Sequence, residues 1–132
     1  MTTIAIVGSS HCGEAAAYEQ VKALIESYPE DTVVISGGAK GVDTTARLVA
    51  KELGYEFREY MPTKQSWPEF KKRNLLIAKE ADKVYSFVDP LRNKPCYHCA
   101  KAQKDNQHQV TGGCYTGLHN GNYEVVEIKE CE

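Results

Sequence analysis

Short runs of aliphatic and β-branched residues alternate along this chain with longer segments of helical periodicity. The runs predict five strands, over residues 3–7, 32–35, 55–60, 83–88 and 123–128. Apolar residues three and four positions apart predict helices over residues 15–28, 42–53, 66–80 and, more briefly, 115–120. Strands that alternate with helices are typical of a parallel sheet covered on both faces. The sequence therefore predicts an α/β, Rossmann-like fold with about five parallel strands.

Length and composition indicate that the chain forms a single globular domain. At 132 residues the chain has the size of a single domain, 1–132, and its formal net charge of −2 gives no electrostatic argument for nucleic acid. No apolar run is long enough to span a membrane, and the chain opens on a strand rather than a signal peptide. We therefore expect a cytoplasmic protein with no membrane partner, and we leave formation of a homo-oligomer open.

Three loops that follow predicted strands carry the residues of greatest chemical interest. They are Gly8-Ser9-Ser10, Ser36 to Asp43, and the segment after Asp89. In parallel sheets of this kind, ligands bind beyond the carboxyl ends of the strands, where these loops lie. We therefore expect the three loops to build one binding site. The alternative is that their glycines only allow tight turns.

The stretch Ser36-Gly37-Gly38-Ala39-Lys40-Gly41-Val42-Asp43 stands between a predicted strand and a predicted helix. Glycines let the backbone approach a phosphate closely, and the helix N-terminus adds partial positive charge and free N–H groups. The spacing is not that of the dinucleotide fingerprint, and the Gly-Lys-Ser/Thr of a P-loop is absent. The stretch therefore predicts a cradle for the phosphate or ribose of a nucleotide-type ligand.

Three stretches of the chain resemble the SLOG superfamily. They are residues 4–10, the glycine-rich stretch 36–43, and Arg73-Asn74 ahead of Ala81-Asp82. These are Rossmann-like domains related to the DNA-processing protein DprA, to the YspA/YpsA-type proteins and to the LOG enzymes described as lysine decarboxylase-like. The resemblance covers about residues 3–89 and, more loosely, 111–128. It implies a cytoplasmic domain that binds a nucleotide or nucleotide-derived ligand; some members hydrolyse an N-glycosidic bond, and others bind single-stranded DNA.

The resemblance also implies which residues contact the ligand. Arg73, with Asn74 beside it, is the candidate for a charged contact to a phosphate or carboxylate; the alternative is a solvated helix face. Asp43 either accepts a hydrogen bond from a ribose hydroxyl or caps the second helix. The full set of expected ligand-binding residues is Gly8, Ser9, Ser10, Ser36, Gly37, Gly38, Gly41, Asp43, Arg73, Asn74, Asp89, Gly112, Gly113 and Thr116.

One motif of the hydrolytic members is incomplete in this chain. Those members carry a Pro-Gly-Gly-x-Gly-Thr-x-x-Glu pattern whose glutamate is catalytic. The corresponding residues 111–119 keep Gly112, Gly113 and Thr116 but contain no glutamate, and Asn120 near that place cannot act as a general base. The sequence therefore assigns no catalytic residue and leaves N-glycosidic hydrolysis by the family mechanism without its base.

Residues 90–114 form a polar insert with the chemistry of a metal site. Five cysteines, an odd number, in a chain expected to be cytosolic argue against disulfides. The most economical ligand set is Cys96, Cys99, His108 and Cys114, with His98 as the alternative histidine. The insert has hardly any apolar side chains, so a Zn²⁺ ion would supply the missing folding free energy, on the order of 10 kcal/mol. We therefore expect a closed, structural zinc site; the alternative is a redox or incidental cysteine cluster in a flexible loop.

Other aromatic and cysteine residues have two interpretations each. Tyr60 and Trp67 either stack on a base or, as we prefer, pack beneath the neighbouring loop. His11 and Cys12, in the first loop, either form a reactive pair or, as we prefer, only pack. Cys131 is expected to be a free thiol without a role.

These observations support three functions of different classes. The predicted function is binding of a nucleotide or nucleotide-derived small ligand at the carboxyl ends of the strands, with a structural zinc loop closing one wall. The first alternative is an N-glycosidic or phosphate hydrolase that uses Asp43 or another carboxylate such as Glu14. The second is a single-stranded nucleic-acid binder with a rim of lysines, which the net charge disfavours.

Overall fold

Five parallel strands form the centre of this protein. The computed structural model describes residues 2–10, 12–13, 15–62, 64–91, 94–104, 106–108 and 111–129. The strands are β1 Thr3–Gly8, β2 Val33–Ser36, β3 Glu56–Glu59, β4 Lys83–Val88 and β5 Tyr123–Glu127. They pair in the order β3-β2-β1-β4-β5, and each of these pairings is parallel. The five-stranded parallel sheet expected from the sequence is therefore confirmed.

Helices connect and cover these strands. Those in the described part of the chain are α1 Tyr18–Glu26, α2 Val42–Leu53, α3 Trp67–Glu80, α4 Tyr97–Lys101 and α5 Gly112–Asn120. The sequence predicts no helix at α4, because five residues are too few to show a periodicity. It predicts α5 to begin at residue 115, because the Gly-Gly-Cys of its first turn has no apolar spacing. Within the described residues, no helix has the combination of length and apolar character needed to cross a membrane.

The core lies in two layers, one on each face of the sheet. Side chains of β1 alternate between them, with Ile4 and Ile6 in the first layer and Ala5 and Val7 in the second. The first layer is completed by α1 and α2, and it contains none of the three cysteines of the polar insert. The second layer contains all three, Cys96, Cys99 and Cys114. The insert is therefore part of the core of the second face.

The strand order reverses beside β1. The chain passes from β1 through β2 to β3 on one side and then crosses to β4 and β5 on the other. In open parallel sheets such a switch point leaves a crevice at the carboxyl ends of the strands. Here the crevice lies at the end of β1, where Gly8 is in register with Phe87 of β4.

Candidate functional site

A pocket of about 660 Å³ opens at this switch point. Most of the residues expected to bind a ligand line it, and they come from four separate parts of the chain. They are Gly8, Ser10, Gly37, Gly38, Asp43, Arg73, Asn74, Gly112 and Gly113. The fold therefore brings the first loop, the glycine-rich stretch, α3 and the start of α5 to one cavity.

The remaining expected ligand-binding residues lie beside the pocket and not in its lining. They are Ser9, Ser36, Gly41, Asp89 and Thr116. The Ser36 hydroxyl donates to the carbonyl of Ile6 at 2.6 Å, and the Thr116 hydroxyl donates to the carbonyl of Gly112 at 3.0 Å. The Asp89 carboxylate accepts from the backbone N–H two residues later at 2.9 Å. These buried polar groups form hydrogen bonds with the backbone that frames the cavity.

Asp43 stands in the pocket wall with its two carboxylate oxygens in different environments. Its side chain is buried, and Oδ2 accepts from the N–H of Gly37 at 3.0 Å and of Ala39 at 3.4 Å. Oδ1 is also buried, yet among the described residues no group meets hydrogen-bond geometry with it. The N-cap position of α2 is Gly41, so Asp43 braces the glycine-rich loop and does not cap the helix in that position.

Arg73 lies opposite Asp43 and fixes the same loop from the side of α3. Its Nη1 donates to the carbonyl of Gly37, and its Nε donates to Asn74 Oδ1 at 2.8 Å. The guanidinium carbon lies 5.7 Å from the ring centroid of Phe70. Burial lowers the pKa of Arg73, and the charge of Asp43 opposes that shift. Arg73 is therefore built into the pocket wall instead of forming a solvated helix face.

Burial also determines the acidity of Asp43. It raises the pKa of this carboxyl from 3.8 to about 6, although Arg73 and the N–H groups of Ala39, Gly37 and Gly8 act in the opposite direction. A carboxyl with this pKa changes its charge near neutral pH. The site therefore holds a titratable acceptor close to a fixed cation.

Gly37 separates these two charged groups. A Cβ at this position would lie 2.5 Å from Arg73 Nη1 and 2.9 Å from Asp43 Oδ2. We expect Gly37→Ala to lower the free energy of unfolding by at least about 1 kcal/mol, because the added methyl group overpacks the loop. Gly13→Ala is the matched control, since a Cβ there meets nothing within 4 Å. Urea denaturation of both variants measures the difference, and equal stabilities would contradict this account.

A second site lies in the insert, behind the pocket. Four buried residues bring their ligand atoms within 4.8 Å of one another: Cys96, Cys99, His108 and Cys114. The Cys99 and Cys114 sulfurs are 3.8 Å apart, and His108 Nε2 lies 3.7 and 3.8 Å from them. Tetrahedral bonds of about 2.3 Å place sulfur ligands about 3.8 Å apart, so the spacing fits a bound metal ion. The Cys/His cluster expected from the sequence is confirmed as a group that could hold one.

Neighbouring groups surround these sulfurs. The N–H of Cys99 donates to Cys96 Sγ at 3.5 Å, and Ser86 Oγ lies 3.2 Å from Cys114 Sγ. Burial raises the pKa of Cys96 and Cys114. Burial acts in the same direction on Cys99, but hydrogen bonds, those of Asn106 and Tyr123 first among them, lower the pKa of Cys99 to about 7. Donors of this kind stabilise a thiolate and hold it in a ligating orientation.

The histidine that completes the cluster is His108 and not His98. The His98 ring stands instead in a series of edge-on or tilted aromatic contacts from three helices, with centroids 4.5 to 5.7 Å apart. We call this series the ring array; its members are Trp67, Tyr97, His98, Tyr115 and His119. A sequence pattern cannot reveal it, because its members are brought together only by the packing of α3, α4 and α5.

Tyr60 and Trp67 differ in their surroundings. Tyr60 packs against the second core layer, and its hydroxyl donates to Glu80, as the preferred interpretation predicts. Trp67 is 46% exposed and lines the pocket. The expectation that Trp67 packs beneath a loop is therefore wrong, because α3 begins at this residue and presents its ring at the edge of the cavity.

The state of Cys12, in the first loop, contradicts the expectation that the cysteines form no disulfides. Cys12 is buried and disulfide-bonded, so it is not the free thiol that a reactive pair requires. The argument against disulfides relied on the expected compartment and on the odd number of cysteines. Neither of these determines whether two particular cysteines are paired. His11, Glu14 and Cys131 lie outside the described residues.

Comparison with known proteins identifies the fold. No family model matches the chain, and no curated protein matches it. The structure of DNA processing protein A (DprA) from Streptococcus pneumoniae matches 96% of this chain with a TM-score of 0.64 and 18% identity. The chain therefore shares the fold of this DprA structure, in line with the resemblance of its motifs. A second solved structure, TM1055, a structural genomics target, matches 67% of the chain with a TM-score of 0.51 and 19% identity.

These likenesses concern the fold alone. The chain spans 50% of the length of the DprA chain and 61% of that of TM1055. One feature of the hydrolytic motif can still be followed in the structure. Asn120, near the position of the missing glutamate, donates to the carbonyls of Ala78 and Ala81 at 2.8 Å each, so its amide joins α5 to the end of α3.

Proposed function

We propose that the pocket binds a nucleotide or a nucleotide-derived small molecule. The observation that carries this proposal is Asp43 Oδ1, a buried acceptor in the wall of an open pocket with no partner among the described residues. An unpaired buried acceptor costs about 1–3 kcal/mol, which a hydroxyl donor on a ligand would offset. A carboxylate that accepts from ribose hydroxyls at the switch point of a parallel sheet is a recurrent arrangement.

The part of the pocket lined by the start of α5 suits an anion. Gly112 and Gly113 form the start of α5, and the Thr111 side chain makes no capping hydrogen bond to their turn. The free N–H groups and the helix dipole there attract negative charge, and Arg73 adds a full positive charge to the same cavity. Trp67 and Phe70 in the lining offer apolar ring surface for a base. A ribose phosphate with an attached base supplies a hydroxyl donor for Asp43, an anion for Arg73 and the start of α5, and a ring for the aromatic side chains.

Zinc is the metal that the Cys96, Cys99, His108 and Cys114 set favours. Three thiolates and one imidazole at tetrahedral spacing are the ligand set of structural zinc sites. All four positions of such a site would be protein ligands, so the ion would order the insert and leave no open position for a water or substrate. The zinc loop would then form a wall of the pocket through α5.

Calorimetric titration with AMP tests the proposed binding. In Asp43→Asn the amide oxygen keeps the two N–H groups of the loop, so the Nδ2 group replaces the free acceptor with a donor. We expect this variant to bind AMP at least tenfold more weakly, because the ribose hydroxyl loses its acceptor. Lys51→Ala, an exposed change on α2 outside the pocket, is the control. Absence of AMP binding, or equal affinity of wild type and Asp43→Asn, would contradict the proposal.

The mixtures of AMP with wild type and with Asp43→Asn can also be assayed for hydrolysis of AMP. Asp43 is the one carboxylate in the lining of the pocket among the described residues. Its pKa of about 6 is suited to proton transfer near neutral pH. Release of free adenine or adenosine from AMP by wild type but not by Asp43→Asn would establish the N-glycosidic or phosphate hydrolase as the function.

A second candidate function, single-stranded nucleic-acid binding, is favoured by the ring array. Lys71 Nζ lies 5.4 Å from the Trp67 ring centroid, and Lys101 Nζ lies 4.5 Å from that of Tyr97, so each side of the array carries a cation. Bases stack on such aromatic surfaces and phosphates pair with the cations. A fluorescently labelled oligonucleotide is expected to bind more weakly to Tyr97→Ala and more weakly in high salt. Oligonucleotide binding that is unaffected by both Tyr97→Ala and high salt would exclude this function.

A further inference from the structure

We infer that the metal centre orders the part of the pocket formed by α5, so that metal and ligand bind cooperatively; the ligand half of this inference rests on the proposed function. Gly112 and Gly113 line the pocket, and the next residue, Cys114, belongs to the metal-ligand cluster. One helical turn therefore has its amides at one site and a ligand sulfur at the other. No flexible connection separates the two sites.

The first turn of α5 has little stability of its own. The helix has nine residues, Gly112–Asn120, and three of them are glycines, which are poor helix formers. A helix this short is not stable in isolation. The N-cap residue, Thr111, supplies no side-chain hydrogen bond to the turn. The conformation of this turn therefore depends on what it packs against.

The two halves of α5 are held by different contacts. The C-terminal half is joined to α3 by the Asn120 amide, whose partners are carbonyls at the end of α3 and not metal ligands, and it packs closely on Tyr123. The N-terminal half is held through Cys114, whose sulfur lies 3.2 Å from Ser86 Oγ and 3.8 Å from both Cys99 Sγ and His108 Nε2. Loss of the metal would therefore release the first turn while the last turn stays attached.

Gly113 makes the pocket sensitive to such a release. A Cβ at this position would lie 2.7 Å from Ser86 Oγ and 3.3 Å from the Cα of Gly8. The turn is thus seated directly on β4 and on the end of β1, and a displacement of Cys114 moves the Gly112 and Gly113 amides away from the cavity. Zinc bound at the cluster keeps these amides in place for an anionic ligand.

The single tryptophan of the chain reports on this turn. The Trp67 ring lies 5.7 Å from that of Tyr115, the residue that follows Cys114, and it lines the pocket. Release of the turn is therefore expected to expose Trp67, with a red-shifted emission and stronger quenching by acrylamide. This readout needs no ligand.

Hydrogen exchange of the zinc-loaded chain, before and after removal of zinc with EDTA, tests the inference. We expect amides 112–116 to exchange at least tenfold faster without zinc while those of β1 stay protected. We expect AMP to bind at least tenfold more weakly to the zinc-free chain, and saturating AMP to tighten zinc binding by the same factor, because linkage is reciprocal. Lys51→Ala, an exposed change on α2 that keeps the four metal ligands, is the control and should exchange like wild type.

The possible results distinguish failure of this inference from failure of the proposed function. Unchanged exchange of amides 112–116 and unchanged Trp67 emission overturn the inference. Equal acceleration in α5 and β1 also overturns it, since the metal then holds the whole fold rather than one turn. If AMP fails to bind the zinc-loaded chain while α5 still responds to zinc, the proposed function fails and the metal-dependent order of the turn stands.

Discussion

The variant His108→Ala is expected to lose its metal ion, whereas His98→Ala retains one zinc per chain. Both histidines belong to the polar insert, but His108 has its Nε2 atom 3.7 and 3.8 Å from cysteine sulfurs, and His98 is not a member of the metal-ligand cluster. Loss of a ligand is expected to weaken zinc binding by more than a hundredfold, since changes in the surrounding hydrogen bonds alone cost up to that factor. The insert would lose binding free energy on the order of 10 kcal/mol and with it its order.

Native mass spectrometry and thermal unfolding measure this contrast. The zinc adduct of wild type and His98→Ala should disappear on chelation, and His108→Ala should carry none at equal zinc concentration. Its melting temperature should not respond to chelator, whereas those of the other two proteins should fall. Retention of stoichiometric zinc by His108→Ala, or its loss by His98→Ala, would show that the ligand set is wrong.

The second large effect is a pH dependence of stability that belongs to Asp43. Its folded-state pKa of about 6 lies above the ordinary 3.8, so the folded state binds a proton more tightly than the unfolded state. The stability contributed by this group is therefore present at low pH and is lost as the pH rises through 6. Between pH 4.5 and 7.5 the ligand-free wild type should lose about 2 kcal/mol that Asp43→Asn does not lose.

Urea denaturation of both proteins at the two pH values measures that difference, and groups common to both cancel in the comparison. Bound AMP should reduce it, because a hydroxyl that donates to Oδ1 favours the ionised carboxylate and lowers the pKa of Asp43. If wild type and Asp43→Asn show the same pH profile, Asp43 does not have the raised pKa described above. If AMP binds without changing the profile, Asp43 does not contact its ribose.

Much of the fold was predictable because the sequence patterns that indicate it lie within short segments of the chain. The β-branched runs at residues 3–7 and 83–88 identify buried parallel strands, and the Cys-x-x-Cys spacing identifies half of the metal cluster. The glycine-rich stretch identifies one wall of the pocket, because a strand, glycines and a helix start appear in that order. Each of these signals is contained in fewer than about ten neighbouring residues.

The parts that could not be predicted depend on packing between distant segments. Ser36 and Thr116 are expected ligand contacts because they lie in glycine-rich segments, and only the fold shows that their hydroxyls donate to the backbone carbonyls of Ile6 and Gly112. The ring array joins Trp67 to Tyr115 and Tyr97, residues from three helices whose relative placement no sequence period encodes. The raised pKa of Asp43 has the same origin, since it requires knowledge of burial.

The adjacency of Gly112, Gly113 and Cys114 has a consequence for how this protein can diverge. A chain that lost the cysteine pair of the insert would leave Cys114 without a partner in the turn that lines the pocket, and a chain that lost Cys114 would leave the insert with an incomplete ligand set. The two segments are therefore expected to be inherited as one unit, so that relatives keep both Cys-x-x-Cys and Gly-Gly-Cys or have neither. Sequences of relatives in which one motif occurs without the other would contradict this expectation.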